Sequence, residues 1–141
     1  MHKTIKIFTD GGSRGNPGPA ASGYVILDEH DKVLEEGGEY LGITTNNQAE
    51  YRAMKLALER AAKYKPDTIE CFLDSQLLAH QLNGIYKMKN AALRPIFEAI
   101  QRLATQYAKV TFQHVYRENN KLADAQVNII LDRETGRKKS A

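Results

Sequence analysis

The sequence predicts an α/β protein built on a mixed five-stranded sheet, three strands antiparallel and two parallel, flanked by helices. Three observations lead there. The chain opens with three short segments of strand character, joined through turn residues with no helical period between them. Two later strand segments are each reached through an amphipathic helix, the usual way of joining parallel strands. With 141 residues, 42% hydrophobic and 26% charged, the composition is that of one globular domain with a core of its own. That domain is expected to span residues 1–134, followed by a basic flexible tail at 135–141.

Each element has its own signal. Residues 3–9 alternate, with Ile5 and Ile7 on one face, and this strand is expected to stop at Asp10. A glycine-rich turn follows, where glycine permits close approach of another group. Residues 21–27 make a second strand, with Gly23 as its weak point. Residues 33–41 make its hairpin partner across a polar turn. A helix from Asn46 to about Lys63 places Ala53, Met54, Ala57, Leu58 and Ala61 on one face at helical spacing. Pro66-Asp67 breaks the chain before a strand at 68–73, which runs into Asp74. Ser75 can then cap a short helix that ends at Asn83-Gly84. Beyond a basic connector at 85–90, Pro95 lies in the first turn of a helix with Ile96, Ile100, Leu103 and Tyr107 as its stripe. Residues 110–115 form the last strand and 116–120 a polar loop. The final helix buries Ala123, Val127 and Ile130.

Composition excludes several classes of function. The single Cys71 cannot form an internal disulfide, and its apolar surroundings suit an inert thiol. No run is long enough to span a membrane and nothing resembles a signal peptide. A cytoplasmic monomer with no obligate protein partner is therefore expected. The net charge of +3 permits a polyanionic partner without demanding one. No His and Cys cluster offers a zinc site, and neither a P-loop nor a dinucleotide fingerprint is present.

Four acids carry the chemistry. Asp10 and Asp74 end strands, while Glu50 and Asp124 lie in first turns of helices on or beside the apolar side. A carboxylate aimed inward is costly unless paired or bound to a cation. Four converging carboxylates suit hard divalent cations with oxygen ligands, and two such ions about 4 Å apart can clamp the attacking and leaving oxygens of a phosphoryl displacement. An acid–base pair of the glycosidase kind would use only two of the four. The other acids, Asp28, Asp31, Asp67, Glu70, Glu98 and Asp132, are expected in turns or on exposed faces. His114 is expected to be packed within its strand, and His80 half buried.

Thr9-Asp10-Gly11-Gly12-Ser13-Arg14-Gly15-Asn16-Pro17-Gly18, Thr45-Asn46-Asn47-Gln48-Ala49-Glu50, Asp74-Ser75-Gln76 and Ala123-Asp124 resemble, in order, the four motifs of type 1 ribonuclease H. The resemblance implies a ribonuclease H-like fold and hydrolysis of the RNA strand of an RNA/DNA hybrid, leaving 5′-phosphate and 3′-hydroxyl ends. It implies two Mg²⁺ ions, with Mn²⁺ as a substitute. Asp10 would bridge them, Glu50 and Asp74 would complete the ion that activates water, and Asp124 would share with Asp10 the ion at the leaving oxygen. It further implies that Asn16, Asn46, Asn47 and Gln76 contact the hybrid, and that Thr45 and Asn90 hold a phosphate of the DNA strand. Two departures stand out. The connector before Asn90 is too short for the basic helix of longer relatives, leaving Lys87, Lys89 and Arg94, so weaker or more salt-sensitive hybrid binding is expected. The loop before Asp124 lacks the histidine that many relatives carry, and Arg117 is the candidate for a phosphate contact there. Two alternatives stay open on sequence alone: a non-catalytic duplex-binding module of the same fold, and another nuclease or an integrase-like enzyme of the superfold.

Overall fold

In the computed structural model of the protein, residues 3–136 are described. Strands β1 (Thr4–Ser13), β2 (Gly18–Asp28) and β3 (Val33–Thr44) form an antiparallel meander. Helix α1 (Asn46–Ala61) leads to β4 (Thr68–Leu73), which lies parallel to β1. Helices α2 (Gln76–Leu82) and α3 (Arg94–Ala104) lead to β5 (Lys109–His114), parallel to β4, and α4 (Lys121–Thr135) closes the chain. The strand order is β3-β2-β1-β4-β5, the mixed sheet that the sequence predicts.

The main core lies on one face of the sheet. Ile5, Ile7, Tyr24, Ile26, Ile69 and Cys71 pack there with Tyr51, Met54 and Leu58 of α1, Leu78 of α2 and Ile100 of α3. Each such aliphatic or aromatic side chain stabilises the fold by about 1.5–3 kcal/mol relative to exposure. The second face is thinner. Ala21 of β2 meets Val127, Ile130 and Leu131 of α4. The sheet therefore has helices on both sides, and among the described residues α4 is the helix whose buried side chains fall in that second cluster.

Several boundaries differ from expectation. β1 does not stop at Asp10: its pairing with β2 continues through Ser13↔Ala20, although the parallel ladder with β4 ends at Thr9↔Leu73. Ladder hydrogen bonds need only backbone, so Gly11 and Gly12 stay paired while erasing the alternation that sequence can show. Asp10 thus sits at a notch, where one neighbouring ladder has ended and the other continues. β2 and β3 also run longer than expected, and α1 gives way to a 3₁₀ turn at Ala62–Tyr64. Thr135 belongs to α4, with its hydroxyl donating to Leu131 O at 2.6 Å, and Gly136 closes the helix at φ +68°. The rest of the expected tail, 137–141, lies outside the described residues.

Three side chains are placed differently from the sequence reading. His114 is exposed at the end of the edge strand β5, its ring edge-on to Tyr116. Asp28 is buried, and its carboxylate accepts the N–H groups of His30 and Lys32 at 2.8 and 2.9 Å, which folds the β2–β3 turn around it. Asp132 is half buried in an ion pair with Arg14.

Candidate active site

Each of the four acids is delivered by a specific packing event. Asp10 stands at the notch between β1 and β4. Glu50 comes beside it because α1 lies directly on β1 at Gly11: a Cβ there would meet the Ala49 carbonyl carbon and the Glu50 nitrogen at 2.3 Å. The buried Ser22 hydroxyl, donating to Ala49 O at 2.7 Å, ties the same turn of α1 to β2. Glu50 is the fifth residue of α1 and not in its first turn, as the spacing had suggested. Asp124 arrives through Gly23, the residue paired with Asp10 across the sheet; a Cβ there would meet Ala123 O at 2.7 Å. The weak point of β2 is where α4 seats. Asp74 follows the last residue of β4, and the buried Asn120 donates through Nδ2 to Asp74 Oδ2 at 3.0 Å and to Thr9 O at 2.9 Å.

These side chains line one cleft of about 280 Å³ together with Ser13, Arg14, Asn46, Arg117 and Asn128. Its electrostatics are those of a cation trap, with an excess of buried negative charge. Burial, then repulsion from Asp74, Asp124 and Glu50, pushes the Asp10 carboxyl up to about 8. Burial and Asp74 push Glu50 up to about 7, while Arg117 and the Ser75 hydroxyl pull the other way. Among the described residues no three Asp, Glu, His or Cys side chains are placed to hold a metal ion by themselves. The donor set is all oxygen and carries unrelieved negative charge, so it fits hard divalent cations.

A second hollow of about 410 Å³ adjoins the N-terminus of α1 and gathers Asn16, Thr45, Asn47, Gln48 and Asn90. Local backbone bonds decide what these side chains can offer. Asn90 Oδ1 accepts the N–H groups of Ala92 and Leu93 at 2.8 and 3.2 Å. Thr45 Oγ1 accepts the Gln48 N–H at 3.2 Å as the cap of α1. Asn46 Oδ1 accepts the Ser13 N–H at 2.8 Å, and Asn16 Oδ1 accepts the Asn46 N–H at 3.1 Å. A backbone N–H can bond only the oxygen end of an amide, so each of these amides has its NH₂ left to give, and Thr45 its hydroxyl hydrogen. The hollow and the cleft edge present donors to acceptors. Gln48 Nε2 bonds Ala92 O at 3.2 Å, so this residue links α1 to the turn before α3 and is not a purely solvated helix position. Gln76 stands apart from both linings, exposed at the first residue of α2.

Sequence reasoning missed Asn120 altogether, and missed that Gly11 and Gly23 seat the helices α1 and α4. Asn120 reads as one more polar loop residue, and only its contact with Thr9, 111 positions away, reveals it. The two glycines carry a signal that could have been used: glycine within a strand pattern often marks close approach of another backbone.

Comparison with known proteins agrees with this geometry. Residues 8–129 match a family model described as reverse transcriptase-like. The chain is similar to ribonuclease HI of Halobacterium salinarum, 42% identical over 91% of this chain and 64% of that protein's length. The crystal structure of RNase H1 from the same organism superposes with a TM-score of 0.89, covering 92% of this chain and 98% of the chain seen there. LC11-RNase H1, solved in complex with an RNA/DNA hybrid, has a TM-score of 0.88 at 40% identity, covering 93% of this chain and 99% of that one. A bifunctional protein of Mycobacterium tuberculosis is 37% identical over 91% of this chain, which spans only 35% of its length.

Proposed function

The chain belongs to the ribonuclease H family, and from that premise we propose that it hydrolyses the RNA strand of RNA/DNA hybrids with the help of divalent metal ions, Mg²⁺ first among them. The observation that carries this reading is the meeting of Asp10, Glu50, Asp74 and Asp124 in one cleft, beside a hollow lined with hydrogen-bond donors. These four carboxylates would hold the metal ions, which when bound supply a lowered pKa for the attacking water and a clamp on the scissile phosphate. The chain's own part is positioning and electrostatics, with no covalent nucleophile. Asn120 keeps the Asp74 carboxylate turned to its place, and Arg117 brings a positive charge to the rim beside Glu50. Arg117 is assigned a contact with the reacting phosphate.

Substrate selection follows from the donors. Thr45 and Asn90 suit a phosphate of the DNA strand, because both have given their acceptor to a backbone N–H. The NH₂ groups of Asn16 and Asn46, with Asn47, suit the acceptors of a minor groove: 2′-hydroxyl oxygens and base-edge oxygens and nitrogens. Gln76 is assigned to the same groove beyond Asp74. The protein acts as a monomer in this account.

A panel of equal-length substrates tests the reading. Labelled RNA/DNA hybrid, double-stranded RNA, double-stranded DNA and single-stranded RNA are incubated with Mg²⁺ or with chelator. Cutting of the RNA strand of the hybrid, dependent on metal, is the expected result. Cutting of DNA duplex in preference would overturn the substrate assignment while leaving the metal site in place.

A further inference from the structure

Two guanidiniums line the catalytic cleft, and they are held very differently. Arg117 is exposed and acts on Glu50 from the rim. Arg14 is half buried, and its Nη2 donates to Asp132 Oδ1 at 2.6 Å while its Nη1 reaches Thr135 Oγ1 at 3.4 Å. One end of this contact lines the cleft, and the other stands on α4, the helix that carries Asp124. Arg14 opens the turn between β1 and β2, where its backbone N–H closes onto Pro19 O at 2.8 Å; Asn16 sits on the same turn and accepts from Asn46. Asp132 lies on α4, eight residues beyond Asp124. Asp124, Asn128 and Asp132 recur every fourth residue and so form one stripe of the helix. Asn128 Nδ2 donates to Asp124 Oδ2 at 3.3 Å, and both line the cleft.

We propose that the Arg14–Asp132 ion pair is a latch that seats α4 against the β1–β2 turn, making Arg14 and Asp132 positioning residues for the metal-binding carboxylate Asp124. The pair fastens the far end of the stripe whose near end is Asp124. On the sheet side, α4 places its own Val127, Ile130 and Leu131 against Ala21 of β2 in the small second cluster. A half-buried, hydrogen-bonded pair is worth more than an exposed one because solvent screens it less. With its fork engaged by Asp132 and Thr135, Arg14 serves the site through α4 and not by gripping substrate. The role of Asp124 in this inference rests on the metal-dependent reading above.

The test uses the full chain with Asp132→Asn, Arg14→Gln and the double variant. Mn²⁺ binding is followed by electron paramagnetic resonance of the free ion in the absence of nucleic acid, so it reports on the site even if the wild type fails to cut hybrid. Each single variant is expected to weaken Mn²⁺ binding by about tenfold, in the range seen when an outer-shell partner of a metal ligand is removed. The double variant should lose no more than either single, since one interaction is removed in all three. Turnover should fall more than KM rises, and metal-free hybrid affinity should stay at the wild-type value. Unchanged Mn²⁺ binding in Asp132→Asn would overturn the latch, as would a double variant whose loss is the product of the singles. Weakened metal-free hybrid binding in Arg14→Gln alone would also overturn it and make Arg14 a substrate contact. Should the singles melt too low to measure, the exchanged pair R14D/D132R decides: recovered Mn²⁺ binding supports the latch, and absence of recovery refutes it.

Discussion

Asp10 concentrates the physical cost of this site. Its carboxyl titrates at about 8 in the fold against a usual value of 3.8, so between those values the native chain holds more protons than the unfolded one. Stability therefore falls as pH rises through that window. Asp10→Asn removes the cost, and the metal-free variant should melt higher than wild type at about pH 8, by on the order of 5 °C, with the difference vanishing toward about pH 4. Thermal melts in chelator read this directly, and a lower midpoint for the variant at high pH would contradict the account. Arg117 makes the opposite contribution, a positive charge beside a raised Glu50. Arg117→Ala should lower turnover at least tenfold, about 1.4 kcal/mol of barrier, while hybrid affinity measured without metal changes little. The acids were legible in sequence because carboxylates at strand ends and on apolar helix faces are conspicuous. Asn120 was not, since nothing local distinguishes a buried Asn from a solvated one. Its partners Thr9 and Asp74 come from two other elements.

At the scale of elements, the site exists because helices are allowed to approach the sheet unusually closely. α1 touches β1 backbone to backbone at Gly11, and α4 touches β2 at Gly23. Gly11→Ala would force Ala49 and Glu50 away from Asp10, since its Cβ would stand 2.3 Å from their backbone. This one added methyl should cost roughly 2 kcal/mol or more, in the range of overpacked cores. It should also lower metal affinity, whereas Ala at Gly84, where nothing lies within 4 Å, should leave metal affinity alone. The type and order of strands β1–β5 and helices α1–α4 could be read from hydrophobic period and capping residues, as with Ser75 on α2 and Pro95 in α3, whereas the 3₁₀ turn at Arg117–Asn119 was read as loop. Boundaries were less visible where pairing runs through residues without informative side chains, as from Gly11 to Ser13 in β1. The seating of α4 was illegible for a different reason: helix and strand meet through small residues, and neither surface announces its partner.

For the molecule as a whole, two charge systems at opposite purposes stand out. Away from the cleft, Glu35 joins β3 to β2, α1 and the 3₁₀ turn, accepting from Tyr24, Tyr64, Arg60 and Lys63. Burial would raise its carboxyl, but those four donors outweigh burial and bring it down to about 2. Its contribution is present above the ordinary glutamate value of 4.5 and is lost as pH falls from there toward about 2. Glu35→Gln should therefore lower the melting midpoint by roughly 5 °C near neutrality and by much less at about pH 3. On the nucleic-acid side, Lys87 and Lys89 make no ion pair among the described residues. They are free to act on phosphates, and replacing both by Ala should reduce the salt slope of hybrid affinity by about 1–2. The central claim is that four converging carboxylates make this chain a metal-dependent nuclease for the RNA of a hybrid. The most direct measurement is cleavage of a strand-labelled RNA/DNA hybrid by wild type and Asp10→Asn side by side in Mg²⁺. The account predicts RNA fragments with 5′-phosphate and 3′-hydroxyl ends from the wild type and none from the folded, hybrid-binding variant. Equal cutting by both, or tight hybrid binding with no cutting by either, would contradict it.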